Sequence, residues 1–323
     1  MIDSVLISIP ENMYILTDSL YFRNKTTKQM GWRFSNTTAF SDLSPQFKKQ
    51  GVYFPHIEFL HRQVGKDGNK TTDLQIQVSL PKFLYETSLF EIDGSELPTL
   101  CFRLSQALRQ AYIIVSSDAI ANATVKRMDL CKSIILPAHL GTARQVIHKL
   151  QKFNHKSSSD FTLKEFRESS NECFIKYHSG TQGYVIYDKA AEIGKNGFTA
   201  TDKAITKNLT RGNGCNRVIR FELSLQRKQS MDALLRRHIG KKKDFSLRDI
   251  LSSQTVARDI LLEAFDRIYS PAHILLITLA EMNENEIEHY LNSLHLPFSK
   301  KTTLSYLANK TAKYGLHATL AEM

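Results

Sequence analysis

Four short segments in roughly the first 230 residues alternate apolar and polar side chains with the two-residue period of a β-strand. In the clearest of them, 217–225, the polar residues Arg220, Glu222 and Ser224 share one face and apolar residues share the other. The other three segments are 73–79, 124–131 and 183–189. A strand of this kind buries one face only, which is typical of antiparallel sheets. The alternation therefore predicts an antiparallel-rich sheet.

Helical periodicity occurs between these strands and dominates the chain after about residue 230. Ser246 is placed to cap a long helix over 246–269, with Asp249 as its capping-box partner. A cap at Ser299 predicts a last helix that Gly315 ends. The other helices are expected over 100–115, 142–153 and 283–294, with a loop over 154–160 and no internal repeat.

These patterns predict an α+β fold, in which helices cover one face of the sheet and a helical domain follows. We place the first domain at 1–235. The second, at 236–323, begins with a basic linker and is helical thereafter.

The charge balance favours a polyanionic partner. The chain has 43 Lys and Arg against 32 Asp and Glu, a formal net charge of +11, and cationic surfaces bind polyanions by releasing condensed counterions. This surplus does not separate DNA from RNA or from an acidic membrane.

The four cysteines are widely spaced, without the paired spacing of a zinc site or a disulfide framework. We therefore expect reduced, packed thiols in a cytoplasmic protein. No apolar stretch approaches the roughly 18 residues of a membrane span, and the N-terminal apolar run is predicted to be a first strand rather than a signal peptide.

The polar faces of the predicted strands carry the groups that a phosphodiester site needs. Carboxylates and amides are ligands for Mg²⁺ or Mn²⁺, and cations can neutralise a phosphate. A second interpretation remains open, because one face of an antiparallel sheet is commonly solvated and needs no chemistry. The residues concerned are Gln75, Gln77, Arg127, Asp129, Tyr187, Lys189, Arg220 and Glu222.

The positions of the histidines give little support for a metal site. His56 and His61 are five residues apart, which in a strand places them on opposite faces and argues against a shared metal. His178 precedes a glycine-containing turn and is expected in a loop.

Five segments, in the same order, resemble the replication initiators of filamentous phages and related plasmids, the gene II/X family. The start MIDSVLISIP is similar to the opening strand of that family, and the Arg-x-Asp and Arg-Phe-Glu segments are similar to two of its later strands. The segments are 1–10, 77–92, 122–130, 218–228 and 296–315.

This resemblance implies a relaxase-like endonuclease fold that nicks and joins one DNA strand at an origin of rolling-circle replication. It implies a tyrosine nucleophile that forms a 5′-phosphotyrosyl link and frees a 3′-hydroxyl. It also implies Mg²⁺ or Mn²⁺ as cofactor, and single-stranded or supercoiled origin DNA and host replication machinery such as a helicase as partners.

The position that we match to the nucleophilic tyrosine of the family holds Phe198, which lacks the attacking oxygen. Three interpretations stay open. Phe198 replaces tyrosine in an otherwise intact site; the match across this loop is displaced and Tyr187 is the nucleophile; or the chain binds DNA without cutting it.

The resemblance assigns the remaining roles residue by residue. Asp129 and Glu222 are the expected metal ligands, with Gln75 or Gln77 completing the set. Gln75 stands where an acidic residue is expected. Phosphate contacts are expected from Lys82, Arg127, Lys189 and Arg220.

Two other classes of function compete with nicking. A DNA-binding module or repressor would use the linker lysines Lys241, Lys242 and Lys243, together with the lysine-rich helix after Ser299. A metal-dependent RNA-processing enzyme fits the charge and the carboxylates equally well.

Overall fold

The computed structural model describes residues 2–17, 27–29, 35–40, 53–64, 69–136, 141–152, 161–169, 172–196, 199–202, 204, 217–253, 255–269, 279, 282–293 and 297–314. The strands, in chain order, are β1 (Ile2–Ile9), β2 (Tyr14–Leu16), β3 (Thr27–Gln29), β4 (Ser35–Phe40), β5 (His56–Val64), β6 (Asn69–Ser79), β7 (Ile113–Val115), β8 (Thr124–Ile135), β9 (Thr162–Ser169), β10 (Glu172–Ser179), β11 (Gln182–Asp188) and β12 (Val218–Leu225). The helices are α1 (Leu80–Tyr85), α2 (Leu97–Gln110), α3 (Ser117–Ala121), α4 (Ala143–Lys152), α5 (Lys189–Asn196), α6 (Lys228–His238), α7 (Leu247–Ser252), α8 (Val256–Ile268), α9 (Glu284–Ser293) and α10 (Phe298–Tyr314).

Ten of the described strands form one sheet in the order β3-β4-β5-β6-β1-β8-β12-β11-β10-β9. Every neighbouring pair in it is antiparallel. The predicted antiparallel-rich sheet and the α+β class are therefore confirmed. Strands β2 and β7 pair separately as a two-stranded sheet.

The sheet consists of two halves with the same topology, although the sequence shows no repeat. In the first half β1 precedes the meander β3 to β6, whose last strand returns to pair with β1. In the second half β8 precedes the meander β9 to β12, whose last strand returns to pair with β8. Because β1 and β8 pair antiparallel at the centre, an approximate twofold axis perpendicular to the sheet relates the halves. Such an axis keeps the polar faces of both halves on the same side.

The apolar face of the sheet carries the main core. Alternate residues of the central strands are completely buried there, and α6 and α8 pack against β8 and β12. The contact is aromatic in part, since the ring centroids of Phe221 and Phe265 lie 5.8 Å apart. Helix α5 is different, because its Lys189 and Glu192 lie beside Tyr187 on the polar face. The prediction of helices on one face therefore holds for α6 and α8, and also for α1, α2 and α4, which contribute apolar residues to the same core, whereas α5 is an exception.

Two predicted helix starts have different outcomes. The capping box of Ser246 and Asp249 is confirmed, with each side chain accepting a hydrogen bond from the backbone N–H of the other. The single helix over 246–269 is wrong: the backbone is extended at Ser253, and α7 and α8 are separate. The cap at Ser299 is also wrong, because α10 begins at Phe298 and Pro297 accepts its first backbone hydrogen bonds. Gly315 lies outside the described residues.

The packing does not change at the predicted domain boundary. Apolar residues of α7 and α8 belong to the same core as the sheet, and so does Leu307 of α10. A small second cluster brings α9 and α10 together around Leu279, Ile287, Leu291 and Ala308. Separate domains at 1–235 and 236–323 remain a prediction, with α7 and α8 packed on the sheet.

Three of the four cysteines are described, and each is a buried free thiol. Burial raises the pKa of the Cys101, Cys131 and Cys173 thiols to about 11. This agrees with the expectation of packed, reduced cysteines, while Cys215 lies outside the described residues. Among the helices of the described residues, none is long and apolar enough to cross a membrane.

Candidate functional site

The polar face of the central strands brings six side chains together, which we call the central cluster. The strand registers place them: Asp129 of β8 is opposite Ser4 on β1 and Ser224 on β12, and Tyr187 of β11 is opposite Arg220. The predicted sharing of one face by Asp129, Tyr187 and Glu222 agrees with this geometry. The central cluster is Asp3, Ser4, Asp129, Tyr187, Arg220 and Glu222.

Asp3 joins this cluster through a β-bulge. In a regular strand, Asp3 would share the buried face with Val5, Ile7 and Ile9. The pairing of β1 with β8 shifts register between Ile2 and Ser4, so Asp3 is an extra residue at the bulge. Its carboxylate Oδ1 lies 2.7 Å from Nη2 of Arg220. Asp3 is not among the site residues predicted from the sequence, although a lone carboxylate on an otherwise apolar face was a usable signal.

Arg220 is completely buried at the centre of the cluster, with 0% of its side chain exposed. Besides the ion pair with Asp3, its Nη1 donates a hydrogen bond of 2.7 Å to the backbone carbonyl of Ser88, and its Nε lies 3.8 Å from Glu222. A guanidinium in this position cannot contact a DNA phosphate. The residue is an internal counter-charge in this structure, and its predicted phosphate contact stays a prediction that would require the guanidinium to become exposed.

The oxygens of Asp129 are occupied by hydroxyl donors. Ser224 donates to Oδ1 at 2.5 Å, Ser4 donates to Oδ2, and Nη2 of Arg127 lies 3.6 Å from Oδ2. Asp129 is itself buried. Its carboxylate would therefore have to exchange hydrogen bonds before it could bind an ion.

Tyr187 and Glu222 form a hydrogen-bonded pair. The Tyr187 hydroxyl donates to Oε2 of Glu222 at 3.0 Å. Burial raises the pKa of Glu222, the charges of Asp3 and Asp129 raise it further, and Arg220 opposes them. Burial, together with the charge of Glu222, also raises the pKa of Tyr187 well above its ordinary value. The pair is thus a phenol hydrogen-bonded to a carboxylate, and the raised pKa of that carboxylate means that Glu222 binds a proton more readily than an ordinary glutamate.

The predicted metal ligands do not form one site. Gln75 lies on β6, and β1 and β8 separate β6 from the β12 strand of Glu222. At about 4.8 Å per strand these two residues are roughly 14 Å apart, whereas ligands of one ion lie within about 5 Å of each other. Gln75 therefore cannot share an ion with Glu222. As the side chains stand, the described residues hold no group of three His, Cys, Asp or Glu that could bind a metal.

Gln75 and Gln77 lie instead on β6, in the first half of the sheet and next to the central strand β1. They are opposite Glu58 and His56 of β5, and Nε2 of His56 is 2.8 Å from Oε1 of Glu58. His61 pairs with Thr72, so the expected placement of His56 and His61 on opposite faces agrees with the register. His178 is the last but one residue of strand β10 rather than part of a loop.

The lysines predicted to bind phosphate differ in how far they are exposed to solvent. Lys189 is the first residue of α5 rather than part of a strand, and it is buried, with Nζ 2.6 Å from Glu192 and 5.7 Å from the ring centre of Tyr187. Burial lowers the pKa of Lys189, and the charge of Arg220 lowers it further. The linker lysines are exposed, although Nζ of Lys242 pairs with Asp249 at 2.5 Å. Lys82 in α1 and Arg127 in β8 are partly exposed.

Phe198 lies outside the described residues. The next residue, Thr199, is buried and donates a hydrogen bond to the backbone carbonyl of Glu86. Ser88, two residues after Glu86, accepts the hydrogen bond from Arg220 through its backbone carbonyl. Thr199 therefore packs on the loop that borders the central cluster.

The comparisons with known proteins agree with this arrangement. No curated protein and no solved structure is found to match the chain. The family model for the N-terminal part of the phage replication-associated protein, the gene II protein, matches residues 1–239. These residues include all ten strands of the large sheet and the whole central cluster. The chain therefore belongs to the family of filamentous-phage gene II-type replication initiators.

Proposed function

We propose that this chain nicks and rejoins one strand of origin DNA, with Tyr187 as the nucleophile. The observation that carries the proposal is the 3.0 Å hydrogen bond from the Tyr187 hydroxyl to Glu222, on the polar face of a replication-initiator fold. A phenol attacks a phosphate only when a nearby base accepts its proton, and Glu222 is within reach to do so.

In the proposed reaction the Tyr187 oxygen attacks the phosphorus of the scissile phosphodiester. A phosphorus–oxygen bond forms to the tyrosine and the bond to the 3′-oxygen breaks, so the 5′ side remains as a phosphotyrosyl ester. The proton of Tyr187 moves to Glu222, and the leaving 3′-oxygen takes a proton from water. The free 3′-hydroxyl then primes synthesis, and the reverse displacement rejoins the strand.

Arg220 positions this pair without contacting DNA. Its buried charge is close to both Asp3 and Glu222, and it keeps these two carboxylates near each other despite their repulsion. Arg127 and Lys82, which are partly exposed, are the proposed phosphate contacts.

Asp129 and Glu222 remain the proposed ligands of Mg²⁺ or Mn²⁺, although as the side chains stand the described residues hold no group of three such ligands. Asp129 would first have to exchange its bonds to Ser4 and Ser224, and Asp3 would join as a third ligand only by leaving Arg220. When bound, the ion would polarise the phosphate and neutralise its charge.

The partners that we propose are origin DNA, single-stranded or supercoiled, and a host helicase that opens the duplex. The place of action would be the cytoplasm of the bacterial host.

A second candidate function is binding to the origin without cutting. It is favoured by the raised pKa of Tyr187 and by the occupied oxygens of Asp129, since both oppose catalysis in the conformation described.

The test is to incubate supercoiled and single-stranded origin DNA with the chain and Mn²⁺, and to score nicked circles and covalent adducts. We expect nicking by the wild type, none by Tyr187→Phe, and no nicking by either with a chelator. Tyr187→Phe is a matched change because it removes only the hydroxyl.

A third protein, Phe198→Tyr, separates the alternatives. If only this variant nicks, the nucleophile belongs at 198 and the Tyr187 assignment is wrong. If no version nicks while all bind the origin, the binding function replaces the catalytic one.

A further inference from the structure

A cavity of about 250 Å³ lies beside the central cluster, between α5 and strands β9, β10 and β11. At about 30 Å³ per water molecule, the volume holds roughly eight waters and is too large for a single ion. It is smaller than the roughly 300–1,000 Å³ of pockets for drug-sized ligands. The cavity therefore fits a compact ligand of one or two rings.

Two aromatic rings from neighbouring strands line this cavity. Phe174 of β10 and Tyr187 of β11 are directly opposite each other in the register, and Lys176 and Val185 form the next pair on that face. Both aromatic residues are partly exposed. Each ring has a cation beside it, since Cζ of Arg167 lies 5.6 Å from the ring centre of Phe174 and Nζ of Lys189 lies 5.7 Å from that of Tyr187. The partly exposed carbon atoms of the two rings offer an apolar surface against which a planar ligand can pack.

The polar groups of the lining do not favour a phosphate ligand. Four acidic residues line the cavity against two lysines, and Arg167 beside them pairs with Glu165 and Glu172, so the lining has no excess of positive charge to attract an anion. Several of these acids already have partners, such as Glu172 with Lys195 and Glu192 with Lys189. Each carboxylate still has lone pairs to accept further hydrogen bonds. The lining therefore favours an uncharged ring that presents N–H donors.

We propose that this cavity binds one unstacked base of single-stranded DNA that carries an exocyclic amino group, namely cytosine, adenine or guanine. A carboxylate accepts from such an amino group, as in acidic contacts to cytosine N4. Thymine has no exocyclic amino group, and two carbonyl oxygens flank its single N–H. These oxygens would face the carboxylates and be repelled by them.

The inference rests on the proposed function, because the Tyr187 ring lines the cavity and its hydroxyl is the proposed nucleophile. A base held here places a neighbouring phosphate of the same strand close to the hydroxyl that Glu222 contacts. The cavity would thus select the nucleotide next to the cut.

The test measures binding of ten-residue homopolymers of deoxycytidine and of deoxythymidine by fluorescence anisotropy, without cleavage. The variant Phe174→Leu keeps apolar volume but removes the ring, and Phe102→Leu changes an exposed aromatic on α2 as the matched control. Thermal unfolding confirms that each variant is folded.

Stacking of one base on one aromatic ring changes affinity by roughly 5- to 150-fold. We expect the wild type to bind the cytidine polymer at least several-fold more tightly than the thymidine polymer. Phe174→Leu should lose at least fivefold for the cytidine polymer, and Phe102→Leu should bind as the wild type does.

Equal affinity for both polymers, or no loss in Phe174→Leu, would overturn the base pocket and leave the nicking proposal standing if the nicking test is positive. Failure of the wild type to bind either polymer would overturn the base pocket, and the nicking test on origin DNA would then decide the catalytic proposal by itself. Nicking that fails while the polymer preference is present would overturn the catalytic function alone.

Discussion

Replacing Arg220 by methionine should destabilise the fold more than any change at an exposed arginine. Methionine has a similar unbranched length, so the main loss is the charge and the hydrogen bond of 2.7 Å to Ser88. Removing one partner of a buried ion pair costs about 3–5 kcal/mol, because the other charge is left without compensation.

The structure places this loss at the lower end of that range. The side chains of Asp3 and Glu222 are 20% and 27% exposed to solvent, so water can partly solvate these carboxylates once Arg220 is replaced. We therefore expect a loss of about 3 kcal/mol in the free energy of unfolding. For a chain of this size that corresponds to roughly 4 °C in Tm.

The assay is urea and thermal unfolding followed by circular dichroism at pH 7. Arg127→Met is the matched control, because Arg127 is partly exposed and lies 3.6 Å from Asp129; it should cost less than about 1 kcal/mol. The double variant Asp3→Asn with Arg220→Met should recover part of the loss, since one uncompensated charge is removed. If Arg220→Met unfolds within about 1 kcal/mol of the wild type, the central cluster is not organised around a buried counter-charge.

Three further predictions concern other parts of the chain. Ser246→Ala should lower the free energy of unfolding by about 1 kcal/mol, measured in urea, because it removes the hydrogen bond to the Asp249 N–H; an unchanged midpoint would show that the cap is unimportant. Neutralising Lys241, Lys242 and Lys243 to Gln should reduce the slope of log affinity against log salt for single-stranded origin DNA by up to about 2; equal slopes would show that these exposed lysines do not contact DNA. Alkylation of Cys131 in the folded chain should remain slow up to a pH near 11, because burial raises the pKa of its thiol to about 11; rapid labelling at pH 8 would mean that β8 is open to solvent.

Much of the sheet could be predicted because strand alternation is a local property. The polar faces assigned to 124–131 and 217–225 agree with the registers, since a two-residue period fixes which side chains share a face. The Ser246 cap was visible for the same reason, because its partner Asp249 is only three residues away.

The missed features depend on contacts between distant segments. Asp3 reaches the polar face only through a bulge, which requires the pairing of β1 with β8. Arg220 is buried because Asp3 and the carbonyl of Ser88 surround it, and both are remote in sequence. The separation of Gln75 from Glu222 follows from the order of strands, which alternation does not specify. The duplicated topology was invisible for the same reason.

The assignment of Tyr187 as the nucleophile is best tested by mapping a covalent DNA adduct. Labelled origin DNA is incubated with the chain and Mn²⁺, the protein is digested with trypsin, and the adduct is located by mass spectrometry. Trypsin should release 177–189, which also contains Tyr177 and Tyr184, so fragmentation of the peptide must assign the residue. Those two tyrosines are buried, with 2% and 1% exposure, and should carry no DNA. We predict a phosphotyrosyl group on Tyr187, whereas an adduct on a tyrosine of any other peptide would show that the nucleophile lies elsewhere.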